Sequence, residues 1–201
     1  MAAPSYIDAD GVLTDGEAWV GLATTTLGAD AATVTFTSPA DGSSTSWDQF
    51  MDLVVVCYVA SDVAAVDDLM LTWLNGDTTT SNYSYQTIVG DGRSGGTVEA
   101  TASAVGGRGI DTRRCAGASA TNIFAAFVIN LFDVNSGKYK SAVARMANDI
   151  NSAVEGSMTG MATTTWKSQA PITSVVFGMN GGDVAAGSMF SLFGVLPRMV
   201  A

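Results

Sequence analysis

The sequence predicts an all-β fold: an antiparallel β-sandwich, jelly-roll-like, with little helix. Three observations predict it. Segments of six to ten residues rich in Val, Ile, Phe, Tyr and Thr recur along the chain, separated by Gly, Asp, Asn and Ser clusters. Several segments alternate apolar and polar residues with the period of two that a half-buried strand requires. Sixteen of the nineteen acidic residues are Asp and only three are Glu, and Asp favours turns where Glu favours helices.

These signals place strands near 18–26, 31–37, 52–60, 69–75, 83–89, 97–104, 122–133, 139–147, 157–166, 171–178 and 188–196. In 32–36, Ala32, Val34 and Phe36 fall on one face and the threonines on the other. The run Leu53–Val59 is apolar at every position and reads as a central strand covered on both faces. At 139–146 good helix formers compete with a strand that puts Tyr139, Ser141, Val143 and Arg145 on one side. The strand is preferred. Residues 61–68 read as a short helical turn within a loop, and Gly90–Gly96 and Gly106–Gly109 as flexible loops between strands. Asn75-Gly76-Asp77 ends an apolar run and precedes another strand. It reads as a hairpin corner, because Asn and Gly both accept positive φ. Residues 1–17 are expected to form an N-terminal arm and 18–201 one β-sandwich domain.

Apolar residues make up 47% of the 201 positions, enough for a sizeable core, while charged residues are only 14%. The surface must therefore be largely Ser, Thr, Asn and Gly, which suits a protein packed against copies of itself or a larger assembly. The net charge of −10 repels phosphate backbones, so no nucleic-acid partner is expected. No apolar run approaches the roughly 20 residues that span a bilayer, and no basic leader opens the chain. A soluble protein with no membrane partner is expected.

The chain contains no histidine, which removes Ser-His-Asp triads and most transition-metal sites. Carboxylate pairs drawn from Asp62, Asp67, Asp68, Asp77, Glu99 and Glu155 are the remaining hydrolytic candidates, and solvated loop acids are the better reading. The same Asp62, Asp67, Asp68 and Asn75-Gly76-Asp77 cluster offers oxygens for calcium without any EF-hand spacing, and turn chemistry again reads better. Gly90–Gly96 lacks the Lys-Ser/Thr of a phosphate loop. No catalytic residue, metal or cofactor is expected. Arg113-Arg114 is a basic pair suited to an ion pair or an inter-subunit contact. Trp19, Trp47, Trp73 and Trp166 suit sugar stacking or core, and core or interface is preferred. Cys57 reads as a buried strand thiol and Cys115 as a loop thiol, with a bridge between them left open.

Five pieces in order resemble a set of tailed-bacteriophage virion structural proteins. They are the threonine-rich Gly21–Phe36 with its Leu-Gly turn, Asp52-Leu-Val-Val-Val56, and Leu71–Ser84 with Asn75-Gly76-Asp77 and Asn82-Tyr83-Ser84. Gly137-Lys-Tyr-Lys140 follows, and last comes Trp166, Ile172-Thr-Ser174 and Gly187-Ser-Met-Phe-Ser-Leu-Phe-Gly-Val195. The chain departs from that pattern in Phe193, where the set carries Tyr, and in longer stretches near 37–50 and 60–68. The resemblance implies a non-enzymatic β-sandwich on the phage particle. Its motif residues Asn75, Gly76, Asp77, Asn82, Tyr83, Trp166, Gly187, Leu192 and Gly194 are expected to be architectural. The expected role is a capsid decoration or cement protein bound to the major capsid protein or other virion proteins, as a homo-oligomer with a trimer favoured. A glycan-binding head of a tail tip or fibre is the alternative.

Overall fold

The computed structural model describes residues 19–39, 43, 45–65, 67–91, 98–103, 109–120, 122–150 and 157–196. They form two antiparallel sheets packed face to face. The strands are β1 (Trp19–Thr26), β2 (Thr33–Thr37), β3 (Asp52–Val59), β4 (Asp67–Leu74), β5 (Tyr83–Asp91) and β6 (Val98–Ser103). The series continues with β7 (Ile110–Ala116), β8 (Ala125–Phe132), β9 (Lys140–Asn148), β10 (Met158–Trp166), β11 (Ser174–Met179) and β12 (Met189–Val195). Eight strands form one sheet in the order β1-β12-β3-β8-β9-β10-β5-β6, and four form the other in the order β2-β11-β4-β7. The pairings β1 with β12, β2 with β11, β3 with β8 and β4 with β7 wrap the chain in jelly-roll manner. The predicted all-β sandwich is what the chain adopts. The arm expected at 1–17 lies outside the described residues.

The core is one cluster shared by both sheets. Leu53, Val55, Cys57 and Val59 of β3, Phe127, Ile129 and Leu131 of β8, and Phe190 and Leu192 of β12 face Val34, Phe36, Val175, Phe177, Met70 and Leu74 of the smaller sheet. Phe177 centres it, edge-on to Phe36 at 6.2 Å and tilted against Phe190 at 5.0 Å. At about 25 cal/mol per Å² of apolar surface, burying such side chains supplies most of the drive to fold.

Several expectations need correcting. Asn75-Gly76 does not close a hairpin: β4 joins the small sheet and β5 the large one. The turn keeps its predicted backbone, with φ of 52° at Asn75 and 65° at Gly76, but it carries the chain from one layer to the other. Residues 61–65 hold no helical turn: Ser61 bridges Val184, residues 64–65 are bends, and β4 starts at Asp67. Ile110–Ala116 is a strand, so Cys115 is not a loop thiol; both cysteines are free and buried. The flanking glycines hid this strand from a reading based on turn residues. Gly90 and Asp91 belong to β5 rather than to a loop, and 92–97 lie outside the described residues.

β3 is central, as expected, but is covered twice only near Val54. Val56 and Tyr58 are exposed on its outer face. The reason is topological: no second sheet packs on the large sheet's outer face there, and Phe124, stacked on Tyr58, leaves that ring half exposed. The strand reading of 139–147 holds, with Ala142, Ala144 and Met146 inside and Ser141 and Arg145 outside. The inner face of β9 begins with a buried Lys140. Its ammonium donates to the carbonyls of Ser136 and Lys138, and burial lowers its pKa while Asp133 works to raise it.

Candidate functional site

Six of the nine motif residues meet at one end of the sandwich. After Leu74 the chain must turn between layers, and the amide of Asp77 donates back to the Leu74 carbonyl at 2.9 Å to close that turn. Asn75 then ties the turn to the loop before β11. Its Oδ1 accepts the backbone N–H groups of Thr173 (2.7 Å) and Ser174 (3.0 Å), and its Nδ2 donates to the Pro171 carbonyl at 2.8 Å. Asp77 accepts from the Trp166 indole N–H at 2.8 Å, the Asn82 amide at 2.8 Å and the Thr79 backbone N–H at 2.9 Å. Partial burial works to raise the pKa of this carboxyl. The hydrogen bonds from Trp166, Asn82 and Thr79 outweigh it and lower the pKa from the ordinary 3.8 to about 2. Tyr83 is fully buried, donates to the Asp77 carbonyl at 2.9 Å and accepts from the Leu74 amide at 3.1 Å. Its ring stacks on Trp166, the residue opposite it in the β5–β10 ladder. Burial drives the Tyr83 phenol pKa well up. The side chains of Asn75, Asp77, Asn82, Tyr83 and Trp166 all bond other parts of the chain, so the corner is a structural clamp between the two sheets.

The remaining three lie along β12 and its approach. Leu192 is core. Gly194 leaves room for Phe50: a Cβ there would stand 2.4 Å from the Phe50 ring. Gly187 has φ of 87°, and a Cβ there would stand 3.1 Å from the Phe124 ring.

The described acidic candidates are likewise committed to partners within the chain. Asp68 accepts from Ser61 Oγ (2.8 Å) and from the amides of Leu69, Gly181 and Gly182. Asp62 accepts from the Asp183 amide. Asp67 pairs with Arg114 within the chain, and the Arg113 side chain lies outside what is described, as do those of Glu99 and Glu155. Trp47 and Trp166 are core, Trp73 lies across Gly178 on the small sheet, and Trp19 is half exposed against Phe193.

A second feature was not singled out from the sequence. On the outer face of the large sheet, the ladders align Tyr58 (β3), Ala126 (β8), Ala147 (β9), Thr159 (β10) and Gly90 (β5) in one row across five strands. At a strand spacing of about 4.8 Å this row is roughly 19 Å long. The next row holds Val56, Val128, Arg145, Met161 and Ile88. Small residues beside large ones make a trough across the strands. Along it runs an open cavity of about 660 Å³, lined by Tyr58, Phe124, Ala147, Asp149, Ser157 and Thr159 among others. A second cavity of about 460 Å³, lined by Arg145, Met161 and Ile88, shares Gly90 and Thr159 with the first and extends it. Tyr58 is 48% exposed, and its ring stacks on Phe124 at 5.2 Å and 25°. Gly187, a predicted motif residue, admits the Phe124 ring to that position. On the rim, Ser157 donates to Asp149 at 2.5 Å. Asn148 follows Met146 on the inner face of β9, is 4% exposed, and its Oδ1 accepts no hydrogen bond.

No protein-family model and no curated protein matches the chain. Among solved structures it is similar to the CBM40 of the Ruminococcus gnavus IT-sialidase, with 10% identity over 88% of this chain and 94% of that one and a TM-score of 0.28. It is also similar to arcelin-5, a lectin-like defense protein from Phaseolus vulgaris (7% identity, 92% and 88% covered, TM-score 0.19). A third is the CBM2 module of the evolved Dit of Lactobacillus casei BL23 phage J-1 (7% identity, 84% and 70% covered, TM-score 0.14). At such TM-scores none of them bears on what this chain binds.

Proposed function

We propose that this chain is a non-catalytic glycan-binding component of a phage particle, with the trough on its large sheet as the binding surface. The stacked Tyr58–Phe124 pair at the mouth of a polar-rimmed cavity carries the reading. A sugar ring has an apolar C–H face, which packs on an exposed aromatic ring, and a rim of hydroxyls, which need hydrogen-bond partners at fixed places. The trough supplies both: rings at one end, and Asp149, Ser157 and Thr159 beside them. Screening the full chain on a glycan array tests this. Binding to one saccharide class is expected, with Tyr58→Ala weakening it at least tenfold while the urea midpoint holds. No binding by folded protein, or an unchanged Tyr58→Ala, overturns the reading.

The capsid decoration role is the second reading. One observation favours it: Trp19, Val56, Ile88, Phe132, Met161 and Met189 are all large, apolar and exposed on strands of the large sheet, as at a surface that another protein covers. Copy number on purified particles separates the two. Hundreds of copies, with heat-sensitive capsids in their absence, point to decoration; a handful point to a tail appendage.

A further inference from the structure

We infer, resting on the glycan reading, that the sugar held in this trough is acidic and that Arg145 binds its carboxylate. Among the outward-facing residues of β8, β9, β10 and β5, Arg145 carries the only charge. Its neighbours in the row are Val128 and Met161, with Val56 and Ile88 beyond them. Among the described residues no carboxylate lies within ion-pairing distance of it, whereas Arg114 of the same chain has Asp67. A ligand that covers Arg145 takes water from the guanidinium. A carboxylate offsets that loss more fully than a neutral hydroxyl does. A carboxylate fits the planar two-pronged donor face of Arg and makes paired charge-assisted hydrogen bonds there.

The placement sets how the ligand lies. Arg145 and Ala147 are successive outward residues of β9, so the cation stands one row from the trough floor. Asp149 and Ser157 stand on the opposite rim, with Tyr58 and Phe124 at the end. A chain of at least two sugar units can therefore stack one ring on Tyr58 and present the acid of another to Arg145. Its hydroxyls donate to Asp149 on that rim. An extended peptide is disfavoured because the trough runs across paired strands and offers no open backbone edge.

Titration calorimetry with the full chain tests this. The probes are a galacturonic-acid tetramer and an N-acetylneuraminic-acid trisaccharide, each beside its neutral galactose counterpart. One acidic probe is expected to bind on the order of ten- to a hundredfold tighter than its neutral partner, the range for a charged hydrogen-bonding pair. Arg145→Met should erase that preference, Arg145→Lys should restore part of it, and 0.5 M salt should shrink it. Which acid binds distinguishes uronate from sialate as the source. Equal binding of acidic and neutral sugars, unchanged in Arg145→Met, overturns the inference and leaves the glycan reading standing. Binding of none of the four by protein with native circular dichroism, alongside a blank glycan array, overturns both.

Discussion

Asp77 shows how a single side chain decides whether a turn holds. Its carboxylate gathers three donors from β10, from the segment before β5 and from its own turn, and Asn in its place would turn an NH₂ group toward donors. Asp77→Asn should cost about 1–3 kcal/mol at neutral pH, read from urea unfolding. The sign of its pH dependence follows from the lowered pKa. The carboxylate contributes stability above the ordinary 3.8, and that contribution is lost as pH falls toward about 2. The gap between wild type and Asp77→Asn should therefore narrow across that window, and a constant gap would mean the charge does not matter. The local chemistry of this corner was legible in the sequence, since Asn75 and Gly76 adopt the positive φ their types favour. The partners were not: Trp166 is 89 positions from Asp77 and Thr173 is 98 from Asn75.

At the scale of elements, β12 explains why the chain spends a glycine inside a strand. β12 pairs β1 on one side and β3 on the other, and Phe50 packs on the backbone at Gly194. Gly194→Ala would push a methyl group into that ring and should destabilise by about 1–3 kcal/mol. Phe50→Ala removes the clash but leaves a cavity, so the double variant should lose less than the two single losses added. Additive losses would show that the residues do not share the contact. Strand positions were legible because period two and turn residues are local signals. β7 was missed because Ile110–Ala116 carries Asp, Arg and Arg between apolar ends, and the ion pair of Arg114 with Asp67 forms only once β4 lies beside it.

For the whole molecule, two layers closing on one core bury both thiols, although Cys57 sits in the large sheet and Cys115 in the small one. Burial pushes the Cys57 thiol far up, with Cys115 adding to it. Burial with a contribution from Asp68 pushes Cys115 up to about 12. Neither should react with iodoacetamide at pH 8 in the native protein, and both should react within minutes in urea, read by intact mass. Native labelling at the unfolded rate would mean that the two sheets part readily.

The sequence by itself determined the all-β class, most strand positions, the turn at Asn75-Gly76 and the lack of histidine chemistry, because periodicity, backbone preference and composition are properties of short stretches. Only the tertiary structure decided that the Asn75 turn links two sheets, and that Tyr58 stands exposed rather than covered. It also decided that Tyr58, Ala126, Ala147, Thr159 and Gly90 share a row beside Arg145. The outermost of those five in sequence, Tyr58 and Thr159, lie 101 positions apart. Strand order brings them together, and strand order is set by how two apolar faces bury each other, which no local segment encodes.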